Sequence, residues 1–116
     1  MILLRFMNFL TKQFLLETYF FISFISEIEL LSYSKITNNE ESKLKVLLGA
    51  MSHVGMDEDI QNITISIRRR KTIKLPDAII AASAISTNST LVTRNEKDFK
   101  HIEGLKLLNP FSSEAN

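Results

Sequence analysis

The apolar residues of this 116-residue chain fall into short runs that alternate with stretches of helical spacing. Runs rich in aliphatic, β-branched and aromatic residues are typical of buried strands. Weaker helical spacing covers residues 8–20. Strands that alternate with helices favour a parallel α/β sheet whose strands are joined by crossover helices. The strand-like runs are MILL at 1–4, FFISFIS at 20–26, STLVT at 89–93 and LKLLN at 105–109.

Two stretches between these runs carry clear signals for the start of a helix. Thr37 and Glu40 form the pattern of a capping box, which predicts a helix that ends near Gly49. Asp57 is expected to cap a further helix that reaches Lys71. The letters NITISI within it also alternate with the period of a strand, but the acidic start and the basic end match the dipole of a helix. We therefore favour the helix.

A third helical stretch, residues 76–87, is apolar on every side and rich in alanine. Pro76 suits its first position, where a missing N–H group costs nothing, and Asp77 follows at the second. Apolar residues on all sides, many of them small, are typical of a central helix with close neighbours. The letters EKDFKHI, residues 96–102, predict one more helical turn before the last strand.

Length and composition exclude several classes of protein. A chain of 116 residues fits a single domain, residues 1–116, and SSEAN at 112–116 is expected to form a disordered tail. The absence of cysteine excludes disulfide frameworks, thiolate zinc sites and cysteine nucleophiles. With a net charge of +1, the molecule as a whole has too little charge to attract nucleic acid or a membrane surface. The uncharged run at 18–26 is far shorter than the roughly 20 residues of a membrane helix, and a secretion signal is lacking, so we expect a cytoplasmic protein.

Three acidic residues lie where the predicted strands end or helices begin: Glu27, Asp77 and Asp98. Asp77 could simply complement a helix dipole, and Asp98 could belong to a solvated charged stretch. Glu27 ends a strand-like run, and buried carboxylates are rare unless they are paired. In a parallel α/β sheet all three could meet at the carboxyl edge. Because such a cluster repels itself, it suits Mg²⁺ or Mn²⁺, and these ions suit phosphodiester hydrolysis by an activated water.

Four motifs in order resemble the PIN-domain ribonucleases, and in particular the VapC-type toxins of bacterial toxin–antitoxin modules: ISEIELLS, KLPDAIIAASA, LVTRNEKDF and GLKLLNPF. The resemblance covers roughly residues 20–111. It implies a three-layer α/β/α fold with a mostly parallel sheet, and an endoribonuclease that depends on Mg²⁺ or Mn²⁺. It also implies a cognate antitoxin, an RNA substrate and a homodimer. The residues that match the family's metal ligands and catalytic acids are Glu27, Asp77 and Asp98, with Thr93 and Asn95 in supporting positions.

The first 19 residues depart from the family pattern, in which the first strand ends in an aspartate that binds metal. Arg5 stands at that position if MILL is the first strand, and no aspartate precedes Asp57. Three explanations are open. The protein could be a degenerate toxin that keeps the fold and binds antitoxin or RNA without cutting, the original first codons could be lost or frame-shifted, or Glu17 could replace the acid.

A cluster of cations lies directly before the Leu-Pro-Asp motif. In an unrelated domain these residues would be a solvated helix end, but beside a phosphodiesterase site they are candidates for contact with the RNA backbone. His53 and His101 are isolated from the acidic motifs in the sequence, and no ligand role is expected for them. The candidate RNA-binding residues are Arg68, Arg69, Arg70, Lys71 and Lys74, with Arg94 as a further one.

Overall fold

The computed structural model describes residues 21–93 and 95–109. The predictions for the first strand, the helical spacing of 8–20, Arg5, Glu17, Arg94 and the tail therefore lie outside the described residues. The chain divides into two compact units, Met1–Val54 and Gly55–Asn116, which are described separately below. The elements in chain order are β1 (Phe21–Ser23), α1 (Phe24–Leu31), α2 (Asn38–Gly49), β2 (Ser52–Val54), α3 (Glu58–Arg70), α4 (Leu75–Ser86), β3 (Thr90–Val92), α5 (Glu96–Phe99) and β4 (Lys106–Leu108).

The first unit contains a parallel pair of strands connected by two helices. β1 and β2 pair so that Ile22 lies opposite His53. Helices α1 and α2 form the crossover between them. Its core is a cluster of Ile22, Leu44, Leu48 and Met51, against which the less buried apolar residues of both helices pack. The buried face of α2 thus packs against β1.

Helix α1 begins earlier than the sequence pattern predicts. The strand-like run FFISFIS was expected to stay extended to residue 26, but the strand ends at Ser23. The Ser23 hydroxyl accepts a hydrogen bond from the Ile25 backbone N–H at 3.2 Å, and this cap starts the helix. The prediction that Glu27 terminates a strand is therefore wrong, because Glu27 lies in the first turn of α1.

The predicted helix at 38–49 is confirmed together with its cap. The Thr37 hydroxyl accepts from the Glu40 N–H at 3.1 Å, and the Glu40 carboxylate accepts from the Thr37 N–H at 3.0 Å. Strand β2 was not predicted, because its three residues, Ser-His-Val, have no run of apolar neighbours to mark them. Its pairing with β1 is a contact between distant parts of the sequence, which local patterns do not reveal.

The second unit repeats this arrangement with β3 and β4, which are parallel and connected through α5. The helix between Asp57 and Lys71 is confirmed as α3, and the Asp57 carboxylate accepts from the Ile60 N–H at 2.8 Å. Ile60, Thr64 and Ile67 are buried along one face of α3. Because these positions are three and four residues apart, helical packing prevails over the alternating pattern of NITISI.

Helix α4 is the most buried element of the second unit. Residues 78–84 are all buried, and α3 makes extensive contact with α4. Four of those seven residues are alanines, which allow close approach of neighbouring backbones. The helix begins at Leu75, so Pro76 occupies the second position and Asp77 the third, one place later than predicted. The prediction of a central helix is otherwise confirmed.

Helices and parallel strands that alternate along the chain confirm the predicted α/β class. Both described strand pairs are parallel, and a helix lies in each connection between paired strands, as the crossover rule requires. No helix in the described part of the chain is long and apolar enough to span a bilayer.

Candidate functional site

Asp77 lies in the first turn of α4 and is half-buried. Partial burial raises the pKa of its carboxyl group, and the negative charge of Asp98 raises it further, while Lys74 has the opposite effect. A nearby negative charge favours the neutral form of a carboxyl group. The second unit therefore brings together the two aspartates that the sequence nominated from separate motifs.

Asp98 is exposed in the short helix α5 and is held there by Asn95. The Asn95 side-chain amide donates to Asp98 Oδ2 at 2.7 Å, and its carbonyl oxygen accepts from the Asp98 backbone N–H at 3.4 Å. Thr93 in turn accepts from the Asn95 N–H at 3.0 Å through its hydroxyl. The Thr93 backbone N–H donates to the Leu108 carbonyl at 3.0 Å, which ties this chain of contacts to the β3–β4 pair.

Asp77, Asp98 and Asn95 offer oxygen donors, which are the ligands that Mg²⁺ and Mn²⁺ prefer. Bringing two carboxylates close in a partly buried place costs free energy that a divalent cation would offset. Within residues 21–93 and 95–109, no three His, Cys, Asp or Glu side chains form a group that could hold a metal. A pair still fits Mg²⁺, because this ion is usually held by one or two carboxylates together with waters and substrate phosphates.

Glu27, the third nominated acid, belongs to the first unit and has a partner that the sequence did not indicate. His53 Nδ1 and Glu27 Oε2 are 2.8 Å apart, and His53 Nε2 lies 2.8 Å from the Leu48 carbonyl oxygen. Both partners accept hydrogen bonds. The bond to Glu27 first, and the bond to Leu48 second, raise the pKa of His53 above its usual value of 6.5.

The expectation that His53 is isolated from the acidic motifs is therefore wrong. The contact forms because β2 pairs with β1, and α1 follows β1 directly. Since the sequence pattern did not reveal β2, no local signal could have brought His53 to Glu27. His101, by contrast, lies exposed in a turn of the second unit, and its expected lack of a ligand role stays a prediction.

The described members of the basic cluster connect the end of α3 to the start of α4. Arg70 is 3.9 Å from Glu103, and both side chains are largely exposed, so this pair holds the arginine only loosely. Lys74 precedes the first turn of α4, within electrostatic reach of Asp77. The basic cluster therefore ends immediately before the helical turn that contains Asp77. The exposed residues of this cluster are Arg68, Arg69, Arg70, Lys71 and Lys74.

The sequence of this chain is similar to those of known proteins. The PIN domain family matches residues 7–105. Ribonuclease VapC1 of Rickettsia felis is 35% identical over 109 residues, which cover 84% of this chain and 81% of that protein.

Solved structures with the same fold come from toxin–antitoxin complexes. A chain of VapBC2 from Rickettsia felis, bound to a DNA fragment of its promoter, has a TM-score of 0.66 and 32% identity, covering 78% of this chain and 74% of that one. A chain of a toxin–antitoxin complex from Klebsiella pneumoniae has a TM-score of 0.64 and 32% identity, covering 77% and 72%. A chain of DNA-bound VapBC from Salmonella typhimurium has a TM-score of 0.59 and 25% identity, covering 76% and 73%.

Proposed function

Since the chain belongs to the PIN domain family, we propose that it is a divalent-metal-dependent endoribonuclease and the toxin of a toxin–antitoxin pair. The observation that carries this proposal is that Asp77, in the first turn of α4, lies within electrostatic reach of Asp98 in α5. The similarity to Ribonuclease VapC1 supports RNA as the substrate. The similarity to chains of VapBC and other toxin–antitoxin complexes supports an antitoxin as the partner.

In this proposal Asp77 and Asp98 are catalytic residues that bind Mg²⁺ or Mn²⁺. Glu27, in the first unit, is a third catalytic residue and ligand that only the sequence motif predicts. When bound, such an ion polarises the phosphodiester and lowers the pKa of a water molecule. Asn95 keeps the Asp98 carboxylate in one orientation through its side-chain amide, and Thr93 fixes Asn95 in turn. Ligand groups that are already oriented lose less entropy when substrate binds.

The basic cluster before α4 binds the RNA backbone in this proposal. Arg68, Arg69 and Lys71 are exposed, and they lie at the carboxyl end of the helix that precedes Asp77 in the chain. Arginine and lysine contacts to phosphates provide affinity without selecting a sequence. We further propose that the protein acts in the cytoplasm as a homodimer bound by its antitoxin.

A second candidate is a PIN-fold protein that binds antitoxin or RNA without cutting it. The observation that favours it is Arg5, which stands where the family pattern has a metal-binding aspartate if MILL is the first strand. A fixed positive charge there would compete with a metal ion. The two candidates differ in one measurable property, the affinity for a divalent cation.

Calorimetric titration of the full chain with Mn²⁺ distinguishes the two functions. The nuclease proposal predicts binding in the millimolar range or tighter, and cleavage of RNA that depends on it. Asp77→Asn should abolish both properties, because it removes one of the two paired carboxylates. Glu58→Gln is a matched control, since Glu58 also lies in the first turn of a helix.

Three outcomes would contradict the nuclease proposal. No detectable heat at millimolar Mn²⁺ would favour the binding protein. Cleavage that persists in Asp77→Asn would show that the site lies elsewhere. An equal loss in Glu58→Gln would show that acids in general, and not this pair, attract the ion.

A further inference from the structure

The three arginines that end α3 lie on different sides of this helix. Ile67 belongs to its buried face. Because successive residues turn by about 100° around a helix, Arg69 lies on the side opposite the buried face, whereas Arg68 and Arg70 lie on the two flanks between them. All three are exposed. A ligand that runs along one flank of α3 therefore meets only one of the two flanking arginines directly.

The flank that carries Arg70 faces an acid from another element of the second unit. Arg70 Nη1 lies 3.9 Å from Glu103 Oε2. Glu103 belongs to the turn between α5 and β4. Among the ion pairs between described residues, this is the only one that includes a member of the basic cluster. The five cations of the cluster are therefore not equivalent, because a carboxylate offsets the charge of one of them.

The contact between Arg70 and Glu103 contributes little to the stability of the fold. Their side chains are 72% and 92% exposed, and pairs as exposed as these have almost no measurable effect on stability. The effect on a charged ligand is larger, because charges at the rim of an interface change the rate of association and its dependence on salt. A like charge at the rim also excludes ligands from the wrong position.

We infer that Glu103 limits the RNA-binding surface of the basic cluster, because it neutralises Arg70 and repels the RNA backbone from that flank of α3. The inference rests on the proposed function, since it takes RNA as the ligand of the cluster. The backbone then contacts the outer side and the opposite flank of α3, where Arg69 and Arg68 lie. Arg70 contributes to binding only when Glu103 is removed.

The expected size of the effect follows from the charges. In water, two unit charges about 4 Å apart interact with a free energy that corresponds to about a fivefold change in affinity. Salt screens this interaction between exposed groups, so the change is largest at low salt. For single-stranded RNA, each additional phosphate that is neutralised steepens the slope of log K against log salt by about 0.7.

The test is the binding of a 2′-O-methyl oligoribonucleotide, which is not cleaved, to the full-length chain and its variants. Fluorescence anisotropy between about 50 and 200 mM salt gives the affinity and the slope. We expect Glu103→Gln to bind about two- to fivefold more tightly at low salt, with a slope steeper by up to about 0.7. Arg70→Gln alone should change the affinity by less than about twofold, since its charge is already offset. In the Glu103→Gln protein, the same substitution should remove the gain.

Glu58→Gln is the matched control, because it makes the same change in net charge. Glu58 is exposed in the first turn of α3, about 18 Å from Arg70 along the helix axis. Its substitution should leave the affinity and the slope nearly unchanged. Thermal melting of every variant checks the fold, and we expect no change for Glu103→Gln or Arg70→Gln, because both side chains are exposed.

The outcomes distinguish this inference from the function on which it rests. If Arg68→Gln/Arg69→Gln weakens binding while Glu103→Gln binds like the unsubstituted protein, the role of Glu103 is overturned and RNA binding by the cluster stands. An equal gain in Glu58→Gln also overturns it, because net charge alone would then explain the effect. So does an equal loss from Arg70→Gln with and without Glu103. If the unsubstituted chain shows no salt-dependent binding, the proposed binding of RNA is overturned and the inference with it.

Discussion

The environment of Asp77 is unfavourable for the stability of the fold but typical of a functional site. An aspartate in the first turn of a helix ordinarily stabilises the helix through its dipole. Here burial and Asp98 raise the pKa of Asp77, which means that the fold disfavours its charge. The sequence motif identified the residue, but its electrostatic environment depends on Asp98, which comes from another element. An acid kept in an unfavourable place is a sign of a functional site.

Replacement of Asp77 by asparagine tests this conflict. Because the folded-state pKa is raised, the stabilising contribution is present below the unfolded-state pKa and is lost as the pH rises through the folded-state value. At pH 7 the charge therefore works against the fold. We expect Asp77→Asn to melt at the same or a higher temperature, although removal of an acid from a first helical turn usually costs about 0.3–1 kcal/mol.

Melting curves between pH 3 and 8 would check this expectation. The difference between the two proteins should shrink at acidic pH, where Asp77 takes up a proton. The matched change Glu58→Gln, in the first turn of α3, should show the ordinary loss. A lower melting temperature for Asp77→Asn at pH 7 would contradict the expectation.

His53 has the opposite kind of environment, since both of its partners favour the charged ring. Its raised pKa means that the Glu27 contact stabilises the fold fully below about 6.5, the usual pKa of histidine. That contribution is lost as the pH rises through the folded-state value. We expect Glu27→Gln to lower the ring pKa of His53, because the largest cause of the shift is the bond to Glu27. An NMR titration of the ring resonances would measure this, with His101 as internal reference, and an unchanged value would show that the contact is absent in solution.

Individual elements differ in how well the sequence predicts them. Helices α2 and α3 were predicted because their caps are side chains next to the helix they start, Thr37 and Asp57. The start of α1 was placed too late because Ser23 sits inside a run of strand-forming residues. Strand β2 was not predicted because it forms by pairing with β1, which is distant in the sequence. Local chemistry predicts helix ends, whereas strand pairing depends on tertiary contacts.

The capping box of α2 provides a quantitative test at this scale. Thr37→Ala removes the hydroxyl that accepts from the Glu40 N–H, and we expect a loss of about 1 kcal/mol in the free energy of unfolding. Ser42→Ala, at an exposed position within α2, should change it by less than about 0.5 kcal/mol. Urea denaturation would measure both. A loss in Thr37→Ala no larger than in the control would show that the cap does not limit stability.

The whole molecule has almost no net charge, so the proposed binding of RNA must depend on a local patch of positive charge. The net charge is +1, yet five cations lie between Arg68 and Lys74. The sequence identified this cluster, and the structure shows that its members are exposed around the turn from α3 to α4. The fold family could also be recognised from ordered motifs. The contact between His53 and Glu27 could not be predicted from the sequence, because it depends on the pairing of β1 with β2.

Salt dependence of RNA binding tests the patch. We expect the double variant Arg68→Gln/Arg69→Gln to reduce the slope of log K against log salt by about 0.7 for each phosphate that is no longer neutralised, or up to about 1.4. Fluorescence anisotropy with a non-cleavable oligoribonucleotide would measure the slope. The double variant Lys35→Gln/Lys43→Gln removes two exposed lysines of the first unit and should leave it unchanged. Equal slopes in both double variants would exclude the patch.

The alanines of α4 have a consequence for the order of the candidate site. Alanine has no side-chain rotamers to lose, so it adds no side-chain conformational entropy to the cost of folding. Ala78, Ala81, Ala82 and Ala84 are all buried, and they make up four of the seven consecutive buried positions after Asp77. The helix that carries this carboxylate is therefore ordered at low entropic cost and has few alternative packings. Few side-chain conformations therefore have to be ordered for the first turn of α4 to fix the position of Asp77.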